Sequence, residues 1–204
     1  MSLLQSLKEK IQVLVFRNLR GLRLSGPVSI SVAADSKILI KGEKPTYFGV
    51  PTLGNISRLK NFSILEIQKN ASMVLSAVSI GRGTRISVKT NGKLEIGDQT
   101  YLSDDCLISA SEAIKIGKQC VISWEVQIFD DDGHKLSDRP QKEGILIGDA
   151  VWIGSRATIL RGTHLGTGCI VAAGSIVKGT FPAHSLIGGV PAKIIRENIS
   201  WQSE

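Results

Sequence analysis

His134 closes the run Phe129-Asp130-Asp131-Asp132-Gly133-His134, so an imidazole stands directly behind three carboxylates. Imidazole titrates near neutrality, so a neutral His can take a proton from a hydroxyl while that oxygen attacks an acyl carbon. A neighbouring carboxylate can fix its tautomer and stabilise the imidazolium, as in hydrolytic triads, and Asp132 is favoured over its neighbours for that task. Without context, however, a His in a polar loop is more often solvated or structural. The remaining chemistry-bearing residues are sparse. His164 and His184 follow at intervals of 30 and 20 residues, and Cys106, Cys120 and Cys169 are odd in number without CxxC spacing. That count argues against a disulfide framework or zinc ribbon and fits a reducing, cytoplasmic setting.

What must position His134 is a six-residue repeat. An aliphatic residue recurs in twelve hexads: IGRGTR from Ile80, ISVKTN from Ile86, IGDQTY from Ile96, LSDDCL from Leu102, IGKQCV from Ile116, ISWEVQ from Ile122, IGDAVW from Ile147, IGSRAT from Ile153, ILRGTH from Ile159, LGTGCI from Leu165, VAAGSI from Val171 and VKGTFP from Val177. Ten carry Gly, Ser or Ala after the anchor and eleven carry Thr, Ser, Cys, Val or Ala at the fifth place, which makes a chance origin untenable. All three cysteines occupy that fifth place, as small buried packing residues would. A period of six fits neither a helix nor simple alternation; it fits short strands joined by sharp corners. Three hexads then make a triangular coil whose aliphatics stack at about 4.8 Å on those above and below.

The frame slips by two residues between Ile96 and Ile116, with Glu112 and Ala113 as the expected corner insertion. Between Ile128 and Ile147 the anchors vanish altogether, which predicts a loop pushed out of the coils at about 129–145, carrying His134. Upstream of Ile80 the alternation in SISVAADSKILIKG and FSILEIQKNASMVLSAVSIG predicts irregular early coils from about residue 26. Residues 1–25 form an amphipathic segment whose apolar positions, Leu3 to Leu22, have helical spacing among basic residues. Such a helix packs on its own protein or lies on a membrane surface. Residues 26–195 form the repeat domain and 196–204 a tail.

The net charge of +7 is dispersed rather than gathered in the repeats, and aromatics are only 5% of the chain, so nucleic acid is a poor partner. No uncharged apolar run reaches membrane-spanning length, and the start lacks a signal-peptide cleavage site.

The hexads resemble those of the hexapeptide-repeat acyltransferases. From Ile122 to Arg196 the similarity is to the sugar and polysaccharide O-acetyltransferases, the maltose, galactoside and capsule-modifying types. Three landmarks coincide in order: a His in a polar loop, IGDAVWIGSRATIL, and IVAAGSIVKGTFPAHSLIGGVPAKIIRE. The resemblance implies an all-β, left-handed parallel β-helix, a hand that general rules of chain crossover do not supply. It implies His134 as catalytic base, acetyl-CoA as co-substrate, no metal, direct transfer without an acyl-enzyme, and a homotrimer with sites between subunits. It places Trp152, Gly154, Ser155, Ala172, Ala173 and Gly174 along coenzyme A, and Lys178, Lys193 and Arg196 near its phosphates. The acceptor would meet Ser103, Asp104, Asp105 and Trp124, although the Asn of related enzymes is absent from YLSDDCL.

Other readings stay open. The same resemblance admits an N-acetyltransferase of an amino sugar or an antibiotic acetyltransferase. A γ-carbonic-anhydrase-like zinc site needs convergent histidines, which intervals of 30 and 20 residues do not bring to one corner of an 18-residue coil. A non-enzymatic β-helix would have no need of the loop His.

Overall fold

The computed structural model describes residues 21–26, 28–50, 62–135, 137–138 and 140–202. Successive coils contribute three strands each: β1 (Leu22–Leu24), β2 (Val28–Val32) and β3 (Lys37–Lys41); β4 (Thr46–Val50), β5 (Ser63–Ile67) and β6 (Ser72–Ser76); β7 (Ser79–Gly81), β8 (Arg85–Val88) and β9 (Lys93–Ile96). There follow β10 (Tyr101–Leu102), β11 (Leu107–Ala110) and β12 (Ala113–Ile116); β13 (Val121–Ile122), β14 (Gln127–Phe129) and β15 (Ile145–Ile147); β16 (Trp152–Ile153), β17 (Thr158–Leu160) and β18 (His164–Leu165). The last are β19 (Ile170–Val171), β20 (Ile176–Val177) and β21 (Thr180–Phe181), then β22 (Leu186–Gly189) and β23 (Ala192–Arg196). Every third strand pairs, giving faces A (β1 to β22 in steps of three, then β23), B (β2 to β20) and C (β3 to β21). All pairings are parallel except β22–β23, which closes the last coil as an antiparallel hairpin.

The hexad anchors become the columns of the core. On face A, Phe48, Ile80, Leu102, Ile122, Ile153, Val171 and Ile187 are in register. Face B aligns Leu65, Ile86, Ile108, Ile128, Ile159 and Val177. Face C aligns Leu75, Ile96, Ile116, Ile147, Leu165 and Phe181. All are buried, and burying each aliphatic side chain contributes roughly 1.5–3 kcal/mol.

Each remaining place in the hexad has a cause in the stacking. At the second place a Cβ on Gly97, Gly117, Gly148, Gly154 or Gly166 would sit 2.4–2.7 Å from atoms of the next coil. At the fifth place a hydroxyl or thiol donates to a carbonyl of the next coil: Thr100 to Gly117 at 2.7 Å, Cys120 to Gly148 at 3.1 Å, Cys106 to Ser123 at 3.2 Å and Cys169 to Pro182 at 3.0 Å. The fourth place, open to any residue on sequence grounds, takes the left-handed backbone at Gln99, Asp105, Gln119, Glu125, Ala150 and Arg156 as well as at glycines. Such a conformation costs a non-glycine residue about 1–2 kcal/mol, so the corners are held by the packing around them.

From Ile80 onward irregularity is confined to one edge. Along face A, 22 residues separate Ile80 from Leu102, 20 separate Leu102 from Ile122, 31 separate Ile122 from Ile153, 18 separate Ile153 from Val171 and 16 separate Val171 from Ile187. The differences fall at the B-to-C corner. There Ser111 and Glu112 form the turn expected at Glu112 and Ala113, with Ala113 already opening β12.

The helical reading of residues 1–25 needs correction where it is described. Leu22–Leu24 is a strand, because its backbone pairs with Thr46, Tyr47 and Phe48 and extends face A. Residues 1–20 lie outside the described residues. Among the described residues there is no helix, and none is long and apolar enough to cross a membrane.

Candidate active site

The segment carrying His134 leaves the B-to-C edge as a paired stem. Asp131 bridges Lys142 in antiparallel fashion, the Asp132 N–H donates to Gln141 O at 3.1 Å, and Glu143 N–H donates to Asp130 O at 3.0 Å. At its base the fully buried Asp130 carboxylate accepts the N–H groups of Ser111 at 2.6 Å and Glu112 at 2.9 Å, fastening the loop to the preceding coil. Burial pushes the Asp130 carboxyl above the ordinary carboxylate range in spite of those donors. Asp131 accepts Gly133 N–H at 2.7 Å, a local turn that leaves His134 exposed at the tip.

Asp132 is bound by a residue of the following coil. Its Oδ2 accepts Arg161 Nε at 2.5 Å, while Glu143 Oε2 accepts Arg161 Nη1 at 3.1 Å. No hydrogen bond joins Asp132 to His134 among the described residues.

Of the residues expected to meet the coenzyme, Gly154, Ser155, Ala172, Ala173 and Gly174 lie on the A-to-B edge. Trp152 stands on the outer side of face A, its Nε1 donating to Ser123 Oγ at 3.4 Å. Gly154 and Ser155 form the next corner; one coil further Ala172, Ala173 and Gly174 form the corner above, with Gly174 N–H on Ser155 O at 2.9 Å. Ala173 and Gly174 are exposed, so the upper corner offers a ledge of small residues, while Arg156 at the lower corner is drawn to Glu125 at 2.8 Å. Gly154 also has a purely structural cause, since its Cβ would lie 2.7 Å from Ala173 N. Lys178 at the B-to-C corner and Lys193 and Arg196 on β23 are exposed beyond the ledge.

On the acceptor side the expected set divides. Ser103 is 4% exposed with its hydroxyl on Tyr101 Oη at 2.8 Å, and Asp104 is 1% exposed with Oδ1 accepting Arg82 N–H at 3.1 Å, so both are committed to the fold. Asp105 is half-buried and Trp124, one coil on, is 50% exposed.

Two participants were not singled out on sequence grounds. Arg161 is buried beneath the loop. Trp201 of the tail lies 5.9 Å from the Trp152 ring and donates Nε1 to Ala150 O at 2.9 Å. A third tryptophan in a mostly polar tail was the available signal. The cysteines are free and buried, and desolvation pushes the Cys106 thiol up to about 12. Among the described residues no group of three His, Cys, Asp or Glu side chains is arranged to hold a metal ion.

Three faces of short parallel strands wound in coils define the class, a parallel β-helix of the hexapeptide-repeat kind. Over 91% of this chain and 90% of the other it is similar to the polysialic-acid-specific acetyltransferase NeuO, with a TM-score of 0.60 at 20% identity, a likeness of fold. Residues 144–179 match the family described as bacterial transferase hexapeptide (six repeats). The "Putative lipopolysaccharide biosynthesis O-acetyl transferase WbbJ" of Escherichia coli is 32% identical over 131 residues, 57% of this chain and 67% of that protein. An "Uncharacterized 24.8 kDa protein in cps region" of Klebsiella pneumoniae is 34% identical over 84% of this chain and 82% of its own length. The "Probable acetyltransferase Rv3034c" of Mycobacterium tuberculosis is 32% identical, and the chain spans 50% of its length. The chain belongs to the hexapeptide-repeat acyltransferases.

Proposed function

We propose that the protein transfers the acetyl group of acetyl-CoA to a hydroxyl of a sugar in a polysaccharide or its precursor, in a homotrimer whose sites lie between subunits. The observation that carries this reading is the division of the site between two edges of the prism. His134 leaves the B-to-C edge, whereas Ser155 and the Ala172–Gly174 corner line the A-to-B edge. Face B separates them by three or four residues of strand, about 10 Å or more at the rise of a β-strand. A neighbouring copy set against that ledge would bring its own loop to it, which a three-fold ring does at every interface.

In this scheme the thioester arm lies on the small-residue ledge, where exposed backbone groups permit close approach. Lys178, Lys193 and Arg196 meet its phosphates as charge-assisted donors. Asp105 and Trp124 are left to touch the acceptor, over the buried Ser103 and Asp104. The neutral His134 imidazole takes the proton from the acceptor hydroxyl as the oxygen bonds to the acetyl carbon. The C–S bond then breaks, and the imidazolium returns the proton to the departing thiolate. Backbone N–H groups beside the thioester stabilise the oxyanion. No cysteine enters, since all three thiols are consumed in coil stacking. Residues 26–195 would form the transferase domain, and the basic segment ahead of them would hold the protein at a membrane face where lipid-linked glycans are modified.

The test is a screen of glycan acceptors that follows acetyl-CoA consumption and identifies products by mass, run beside His134→Ala. That variant is expected to lose about 10²-fold or more in turnover with coenzyme affinity intact. Full turnover by the variant refutes the assignment.

A further inference from the structure

We propose that Arg161 is the positioning residue of the His134 loop, acting as a two-pronged clamp on both legs of its stem. The proposal rests on His134 being the base. Arg161 belongs to the coil after the loop, and its side chain is 2% exposed at the B-to-C corner. Nε–H donates to Oδ2 of Asp132, on the outgoing leg, and Nη1–H donates to Oε2 of Glu143, on the returning leg. The backbone repeats the attachment, with Gly162 N–H on Glu143 O at 3.0 Å. Asp132 lies only two residues before His134, so the clamp fixes the backbone from which the imidazole projects.

The chemistry of the side chain suits this task. A guanidinium is planar, permanently charged and presents its N–H groups in a fixed fork, so two carboxylates are held at a set angle to one another. A lysine supplies one mobile point charge and would serve one leg at a time. The prism below is rigid, whereas an excursion closed only by short backbone pairing has freedom at its tip; two ion pairs to a buried cation transmit the order of the coil to the loop. Catalysis is sensitive to that order, because a base displaced by about 1 Å from its hydroxyl loses on the order of 10²-fold in rate.

The test compares Arg161→Gln, Arg161→Lys and Glu143→Gln with the double variant Arg161→Gln/His134→Ala, in turnover, KM for acetyl-CoA, and the rate of tryptic cleavage after Lys135. Arg161→Gln is expected to lower kcat by about 10²-fold and Glu143→Gln by about tenfold, with KM for acetyl-CoA unchanged. Arg161→Lys should fall between Arg161→Gln and the parent. The double variant should be no slower than His134→Ala alone, since a residue that acts through the imidazole has nothing left to position. Cleavage after Lys135 should accelerate about tenfold in Glu143→Gln.

A variant that melts earlier but keeps parental kcat would make Arg161 a fold staple only and overturn the proposal, as would multiplicative losses in the double variant. If Arg161→Gln does not fold, Glu143→Gln decides alone, because its side chain is 52% exposed and its loss leaves the coil intact. If His134→Ala retains full turnover, the base assignment fails instead; the cleavage rate then still reports whether the clamp orders the loop.

Discussion

Gly154 stands where coenzyme would pass and also where coils stack, and the two explanations part company on substitution. In Gly154→Ala the new Cβ would lie 2.7 Å from Ala173 N, 2.8 Å from Val171 O and 3.0 Å from Ala173 Cα. All three are backbone atoms of the next coil, so relief to about 3.4 Å requires the coils to part locally by roughly 0.5–0.7 Å, straining contacts of a kind that cost about 1–3 kcal/mol to overpack. The ladder bond from Gly154 N–H to Val171 O, 2.8 Å in the native fold, would lengthen with its neighbours, and losing two such bonds gives a similar figure. Gly97→Ala is the control. Its Cβ would lie 2.7 Å from Gly117 C and Lys118 N, at the C-to-A edge away from the ledge. Urea denaturation should show about 2 kcal/mol lost in both variants, and calorimetric titration should show weakened coenzyme binding in Gly154→Ala alone. Parental stability in both would refute the stacking explanation of the second hexad place. Weakened coenzyme binding in both would refute the placement of the ledge.

The cysteines give a second prediction: with the Cys106 thiol pushed up to about 12 by burial, only about one molecule in 10⁴ carries its thiolate at pH 8. Native protein should resist thiol reagents that label the denatured chain at once, and fast native labelling with loss of activity would reinstate a nucleophilic cysteine. A third concerns Asp130→Ala, which leaves the Ser111 and Glu112 N–H groups without their acceptor and should cost about 2–6 kcal/mol by urea denaturation. Because burial raises the native carboxyl, folding takes up a proton there; the resulting stability is full below the unfolded value and is lost as pH rises through the native one. The gap between parent and variant should therefore narrow as pH rises out of the ordinary carboxylate range, and a gap that widens would contradict the direction of the shift.

Much of the scaffold was legible because its physics is periodic. The anchors at the first place had to be buried somewhere, and a period of six leaves three columns as the economical solution. The loop was legible by default, as the stretch where anchors fail. What the alphabet hid was contact between coils. Asp132 and Arg161 are 29 residues apart, and no pattern in the chain pairs them before the coils are wound. Ser103 and Asp104 stand where the family resemblance puts acceptor contacts; the corner buries them, and there Asp104 holds the Arg82 N–H of the coil before. The left-handed corners were invisible for a related reason. Gln119, Glu125 and Arg156 have no intrinsic preference for positive φ, and only packing on both sides imposes it. Leu22 continued a helical spacing, yet the free edge of face A offered its backbone better partners in Thr46–Phe48.

The most direct test of the account is a crystal structure of the protein with bound coenzyme A. The thiol is expected beside the Ser155 and Ala172–Gly174 ledge of one subunit, within hydrogen-bonding reach of His134 from its neighbour in a three-fold ring. A coenzyme bound along another edge, or every imidazole turned away from the thiol, would contradict it.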